Sequence, residues 1–495
     1  MATFEEIVGL RKGGNYMASY EMALTYKFEN PNSPWINNQI GWCLFEMLKA
    51  NSSTAKSEEF LLRLQEVVDI NNERPLDGFI INNLVWPVRA FVVNCCNNGT
   101  LLEDLLYRVF GILQQIPFDI ADENYGILLG AFVKAKKWGG LKQFIEWWNL
   151  DNIKAKDCET FKTKDGKTVM SVAEQAFIAY SNVLLEEIAS KVADEEQVKA
   201  YTEKLAQVAT SHPEFQYPSY FQAKLLLGIG YKEEAMEALM PFVKKKAKDF
   251  WVWELLGDAQ SDIDLRISCY CKALLCHGKE QYLRKLHLKL CDIFLKKEMY
   301  NEARAELTAA ITISNNNGWA LPFNYQDYTM ETWYLSADKN ADNTEFYKDN
   351  ASSAEQLTYS DYPQTAIVVV KINKEKQVAN FVTPARETGF FSCKGIKCKV
   401  GAAYLCKMEN DNGNHYKVYV CEPINGVEKG LIKEFSGPLT IKQGGYGFVG
   451  DIFVKASMIN GIENNSVVSG IAIPSYDEKK GKWGWTTLRL FDNNI

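Results

Sequence analysis

Three aromatic residues near the C-terminus have the spacing of a stacking platform. Gly445-Tyr446-Gly447-Phe448-Val449 and Ile452-Phe453-Val454-Lys455 flank a Gly450-Asp451 pair. Strand alternation puts Tyr446 and Phe448 on one face of the first segment. A two-residue turn with glycine first favours a type II′ hairpin, which lets Phe453 join them from the second. Such rings, facing outward, stack on the π-faces of unpaired bases for about 1–3 kcal/mol per base. Facing inward, they are barrel core, and parity alone leaves both directions open. Lys442 and Lys455 bracket the two segments and supply cations for phosphate. Downstream, Asp477-Glu478-Lys479-Lys480-Gly481-Lys482-Trp483-Gly484-Trp485 extends the candidate set. Lys480 and Lys482 would attract phosphate, and Trp483 and Trp485 would either stack on bases or seal the barrel.

Gly-Tyr-Gly-Phe-Val resembles the first nucleic-acid motif of cold-shock domains, and Ile-Phe-Val-Lys their second. Asp451-Ile452-Phe453-Val454, Ser466-Val467-Val468-Ser469-Gly470 and Pro474 are similar to the RNA-binding cold-shock domain of the terminator Rho, over about fifty residues. The resemblance implies base stacking by Tyr446, Phe448 and Phe453. The sequence departs from it where Gly444 replaces a lysine, where Lys455 replaces the histidine that closes the second motif, and in a short loop between the motifs.

Other chemistry finds less support. Cys393, Cys398, Cys406 and Cys421, with His415 among them, raise the question of zinc. Structural zinc draws on ligand pairs two to four residues apart, and only the first two thiols approach that spacing, so buried reduced thiols and no metal are expected. The four histidines, at 212, 277, 287 and 415, accompany no His-Glu-x-x-His, Gly-x-Ser-x-Gly or dinucleotide-binding glycine motif. Gly166-Lys167-Thr168 has the end of a phosphate loop, but Phe161 stands where its first glycine belongs. No enzyme and no cofactor are expected, and a metal-dependent nuclease is the remote alternative.

The elements that must carry these residues fall into two kinds. Ala235, Cys269 and Ala303 recur every 34 residues, as do Leu239, Ala273 and Leu307; Trp253, Leu256 and Gly257 return as His287, Leu290 and Cys291. Such a step marks a supersecondary unit that buries its apolar face only against its neighbours. Trp253-x-x-Leu256-Gly257 and Tyr300-x-x-Ala303 resemble the tetratricopeptide (TPR) repeat, as do Gly14-Asn15-Tyr16, Pro31 and Ile40-Gly41 with Leu44 near the N-terminus. Tyr125, Leu128, Phe132, Trp138 and Leu141 form a looser copy. Residues 160–169 break the helical rhythm, and Lys164-Asp165-Gly166-Lys167 suits a hairpin turn. From Ala366 onward, β-branched and aromatic alternation with glycine-rich turns predicts short-stranded barrels, the first including Phe381, Phe390 and Phe391.

The fold expected is therefore α+β and multidomain, an α-solenoid of TPR-like helix pairs followed by two small OB/cold-shock-like β-barrels. The divisions are a divergent helical array over 1–210, repeats over 211–320, a linker and packing tail over 321–363, a divergent OB-like barrel over 364–422 and a cold-shock-like barrel over 423–495.

Composition bounds the partners. With 47% hydrophobic residues among 495, the chain can bury several cores. The net charge of −7 is divided unevenly: residues 363–495 hold 17 Lys+Arg against 12 Asp+Glu, leaving 38 against 50 in residues 1–362. The basic end suits nucleic acid and the acidic part does not. The opening residues lack a signal-peptide core, and no uninterrupted apolar run reaches the ~18 residues of a membrane span. Dilute cysteines fit a reducing compartment, so a cytoplasmic location is expected and the glycosylation-like sequences at Asn51 and Asn98 are chance matches. The functional expectation is an adaptor that grips a protein or peptide on the concave helical face and RNA or single-stranded DNA on the barrels. Its architecture is similar to accessory proteins of bacterial conflict or phage-defence systems. A protein-only scaffold is the alternative.

Overall fold

Leucine, isoleucine and cysteine at helical spacing organise the first part of the chain. In the helix Ile36–Ala50, Ile36, Ile40, Cys43, Leu44 and Leu48 recur on one face, and all are at most 1% exposed. The computed structural model describes residues 3–97, 99–163, 165–276, 278–478 and 480–491. Asn98, Lys164, His277 and Lys479, named above, lie outside them. The chain divides into two compact units, Met1–Phe242 and Val243–Ile495.

Among the described residues the regular structure of the first unit is helical apart from one hairpin. Helix Tyr16–Glu29 packs on Ile36–Ala50, which packs in turn on Ser57–Glu73, while Val85–Cys95 packs on Gly126–Phe132. Aromatic rings fill the spaces between these helices: Phe60 stacks on Phe91 at 4.2 Å, and Phe132 on Phe144 at 3.9 Å. Tyr125, Leu128, Phe132, Trp138 and Leu141 are all buried. The stretch Gly78–Cys95 is long and apolar enough to cross a membrane by length and composition; half of it is buried here, with Val88, Phe91, Val92 and Cys95 fully enclosed. The rhythm break near residue 160 is a two-stranded antiparallel hairpin, β1 (Phe161–Lys162) and β2 (Thr168–Val169).

The second unit begins with helix pairs, Phe250–Ala259 against Ile263–Leu274 and Arg284–Lys296 against Tyr300–Asn316. Across both units the 34-residue positions are interior: Ala235, Cys269, Ala303, Leu239, Ala273, Leu307, Leu256 and Leu290 are all fully buried. A Cβ on Gly257 would lie 2.4 Å from the Tyr270 ring, so that glycine lets the first pair close. The stretch 321–363, expected to be a linker and packing tail, includes helical turns. It contains short helices Thr332–Ser336, Thr344–Asn350 and Ser352–Thr358, and the last two pack on Ile263–Leu274.

Strands then take over. β3 (Gln364–Asn373), β4 (Val378–Val382), β5 (Thr388–Ser392), β6 (Ala403–Asn412) and β7 (His415–Ile424) close a barrel in the order β3-β4-β5-β7-β6, with β5 and β7 parallel. Ile367, Val369, Phe381, Phe391, Tyr404 and Cys406 fill it. β8 (Lys433–Pro438), β9 (Thr440–Ile441), β10 (Gly447–Val449), β11 (Ile452–Val454), β12 (Val467–Asp477) and β13 (Lys482–Leu490) form a sheet ordered β8-β12-β13-β11-β10-β9. Its two edges, β8 and β9, are separated only by Leu439, so one run of chain switches partner from β12 to β10 and brings the edges round on each other. Counting β8 and β9 as one strand, both β-modules have the connectivity 1-2-3-5-4-1 with strands 3 and 5 parallel.

The β-modules share a seam. Val368, Val382, Ala403, Leu431 and Ile473 form one buried cluster, joined by Trp483 and Leu488. Gly401, at φ +80°, passes so close to Leu488 that a Cβ would stand 1.8 Å from its Cδ2. Only glycine meets both the left-handed backbone and that approach. The chain is thus α+β: mostly helical to about residue 360, and a barrel with a barrel-like sheet thereafter.

Candidate nucleic-acid interface

The direction of the aromatic residues is decided by their neighbours in β10 and β11. Val449, Ile452 and Val454 are at most 6% exposed, and Val449 and Val454 pack with Leu439, Ile459 and Val468 inside the module. Alternation therefore turns Phe448 and Phe453 outward, and Tyr446 with them. The turn joining the strands has φ +58° at Gly450 and a negative φ at Asp451, the type II′ geometry. It holds Phe448 and Phe453 as register partners.

The three rings touch. Phe448 meets Phe453 edge to face at 5.6 Å, and Tyr446 lies 5.9 Å from Phe448 and 5.7 Å from Phe453. Tyr446 is 37% exposed. Pairing across four strands extends the platform, because Thr440 lies opposite Phe448 and Thr486 beside Phe453. One row thus reads Thr440, Phe448, Phe453, Thr486. The next is cationic at both ends: the Lys442 N–H donates to the Tyr446 carbonyl at 2.8 Å, and Lys455 follows Val454, whose partner is Gly447. Lys442 and Lys455 are exposed, and among the described residues no carboxylate pairs with either.

The remaining candidates lie elsewhere. β13 runs parallel to β11 with Ile452 beside Trp485, so the β12–β13 hairpin tip projects past the start of β11. Lys480 and Lys482 are exposed there, with Lys480 3.6 Å from Asp477. At ~3.3 Å per strand residue, Lys455 and Lys482 bracket a span of about 20 Å. Trp485 shares the parity of buried Ile452 and points away from the aromatic platform. The Arg386 guanidinium covers its ring at 4.8 Å and the Lys433 ammonium at 5.8 Å. Lys433 also pairs with Asp451 at 2.8 Å, and this hydrogen bond holds the Asp451 carboxyl below its ordinary range. Trp483 packs at the seam and against Tyr476 at 5.4 Å. The structure therefore groups Lys442, Tyr446, Phe448, Phe453 and Lys455, sets Lys480 and Lys482 at one end, and leaves Trp483 and Trp485 out of the platform. Thr440 and Thr486 were not legible, since only strand pairing aligns them with the phenylalanines.

The platform lies within a region of known kind. Residues 433–490 match the S1/CSD-like domain 2 of the TOTE conflict systems. Residues 216–354, all within the helical part, match a domain of unknown function, DUF7017. No curated protein matches the chain. The C-terminal end is thus cold-shock/OB-like, a fold whose strand 2–3 face and flanking loops bind oligonucleotides. In this chain β10 and β11 are strands 2 and 3. Lys442 sits in the loop before them, and Lys480 in the loop between strands 4 and 5.

The first barrel's cysteines are less enclosed than expected: Cys406 is buried, and Cys393, Cys398 and Cys421 are only partly so. All twelve cysteines are free, and among the described residues no group of three or more His, Cys, Asp or Glu side chains is arranged to hold a metal ion. Cys406 and Cys421 face each other across β6 and β7.

Proposed function

We propose that this chain is a non-enzymatic adaptor whose last β-module binds single-stranded RNA or DNA across β10 and β11. The observation that carries this reading is the outward triad Tyr446, Phe448 and Phe453, left open to bases while valines and isoleucine fill the interior. Lys442 and Lys455 beside the rings, and Lys480 and Lys482 beyond them, would hold the phosphates. The S1/CSD-like match supports a role within a conflict system. The helical part would act as a solenoid of TPR-like pairs that holds a protein or peptide partner. The buried 34-residue register supports this.

The test is a fluorescence anisotropy titration of the full chain with labelled single strands at several salt concentrations. Binding that weakens with salt and falls at least about tenfold in Phe448→Ala/Phe453→Ala supports the reading. Affinity unchanged by those two substitutions would sink it. Intact oligonucleotides after incubation with divalent metals would support the non-enzymatic part, and magnesium-dependent cleavage would replace it with a nuclease.

A further inference from the structure

Because the two β-modules share one connectivity, each outward position of the last has a counterpart in the first. In the last module the row runs Thr440, Phe448, Phe453, Thr486 over strands 1, 2, 3 and 5. In the first, the pairings Lys371 to Asn380, Asn380 to Phe390 and Phe390 to His415 give the same row over the same four strands.

This row also faces outward. Ala379 and Phe391 are fully buried and Phe381 is nearly so, which turns Asn380 and Phe390 to the other side. Strict alternation in β3 would send Lys371 inward after Ile367 and Val369. The register shift between Val369 and Lys371 prevents this: the extra residue, Val370, restores Lys371 to the surface. Phe390 is 36% exposed, with its ring 5.3 Å from His415.

The surroundings are cationic. Lys374 and Lys376 are exposed in the turn joining strands 1 and 2, where the last module has Lys442. Lys394 and Lys397 are exposed just after strand 3, where it has Lys455. Among the described residues none of these four lysines, nor Lys371, has an ion-pair partner. Asp411, 3.0 Å from His415 Nδ1, and the exposed Glu375, between Lys374 and Lys376, are acidic neighbours of the row. The last module packs on Val368 and Val382, one register pair at two residues' distance along β4, while Lys371 and Phe390 are exposed and Asn380 and His415 partly so.

We propose that the first barrel carries a second site for single-stranded nucleic acid, with a base stacked on Phe390 and phosphates held by Lys371, Lys374 and Lys376. The idea takes its template from the proposed face of the last module, but the exposed ring and the unpaired lysines are its own. A free aromatic with cations on both sides fits a base and its phosphates better than it fits a protein surface, which would more often offer a broad apolar patch.

The experiment uses the full chain with fluorescein-labelled 15-nucleotide oligouridine and oligothymidine, the two arms separating RNA from DNA. Phe448→Ala/Phe453→Ala, which removes the face on the last module, is compared with and without Phe390→Ala/Lys371→Ala. Residual, salt-dependent binding by the first variant is expected, weakened at least about fivefold in the second. Phe390→Tyr should retain that binding, and thermal midpoints should stay at wild type because the residues are superficial. Residual binding that is absent, or indifferent to Phe390→Ala/Lys371→Ala, overturns the proposal. Wild-type affinity insensitive to Phe448→Ala/Phe453→Ala but lowered by Phe390→Ala would remove the reading of the last module and leave this one standing.

Discussion

Phe448 and Phe453 are register partners whose rings meet 5.6 Å apart on the outside of the last β-module, while Val449 and Val454, one residue on from each, point inside. Adjacent residues should therefore report on different things. Phe448→Ala and Phe453→Ala should each weaken single-strand binding by about 1–3 kcal/mol and leave the thermal midpoint near wild type. Val454→Ala, at 0% exposure, should lower that midpoint without removing a contact to bases. Anisotropy and thermal denaturation on the same samples check both halves. A binding loss that tracks the loss of stability would refute the distinction.

Lys442 and Lys455 flank Tyr446 without carboxylate partners among the described residues, whereas Lys480 lies 3.6 Å from Asp477. A lysine that contacts phosphate releases a counterion. Replacing Lys442 or Lys455 with alanine should flatten the plot of log affinity against log salt by about 0.7 for single strands. Lys480→Ala should flatten it less, because its charge is already partly answered. Equal slopes for all three variants and wild type would show that none of these lysines meets phosphate.

Burial pushes the Cys95 thiol up to about 12, with Cys96 beside it adding to the effect, and burial alone does the same to Cys269. In the folded chain these thiols stay protonated well above the point, near 8.5, where an unfolded thiol ionises. The folded state then binds more protons than the unfolded one. Their contribution to stability is complete below about pH 8.5 and is lost as the pH rises toward 12. At pH 8 a thiol-specific reagent should leave Cys95 and Cys269 unmodified in the native chain and modify both after denaturation, as read by peptide mass spectrometry. Native labelling as fast as denatured labelling would contradict their enclosure.

What was legible in the sequence was whatever local spacing decides. The 34-residue step marked buried positions because small and aliphatic residues must recur wherever helices close on one another, and the Gly450-Asp451 pair fixed a turn because glycine supplies the positive φ. The direction of Tyr446 and Phe448 was not legible, since Gly-Phe-Val and Ile-Phe-Val are apolar on both faces and alternation says only that they differ. The direction of Trp485 was not legible for a longer-range reason: its parity is set by parallel pairing with Ile452, and its cover, Arg386, comes from another barrel. The helices after residue 330 escaped because five to seven residues are too few to display a period of 3.6.

One of those short helices, Thr344–Asn350, is fastened by a carboxylate that sequence alone does not single out. Glu306 is fully buried, and its Oε2 lies 2.6 Å from His287 Nδ1. Its Oε1 accepts from Asn343 Nδ2 and from the Tyr347 hydroxyl, each at 2.6 Å. One side chain thus joins Arg284–Lys296, Tyr300–Asn316 and Thr344–Asn350. Glu306→Ala would leave the buried His287 and Asn343 and the half-buried Tyr347 without this partner, and each buried polar group so stranded costs about 1–3 kcal/mol. Glu306→Gln keeps an oxygen for Asn343 and Tyr347, and its amide stays within reach of the imidazole, so its cost should be well under half as large. Denaturant unfolding followed by tryptophan fluorescence and far-ultraviolet circular dichroism should give midpoints in the order wild type, Glu306→Gln, Glu306→Ala. Protease cleavage between residues 320 and 360 should quicken in the same order. Equal midpoints and equal cleavage for the two variants would show that the acceptor oxygen does not hold this segment in place.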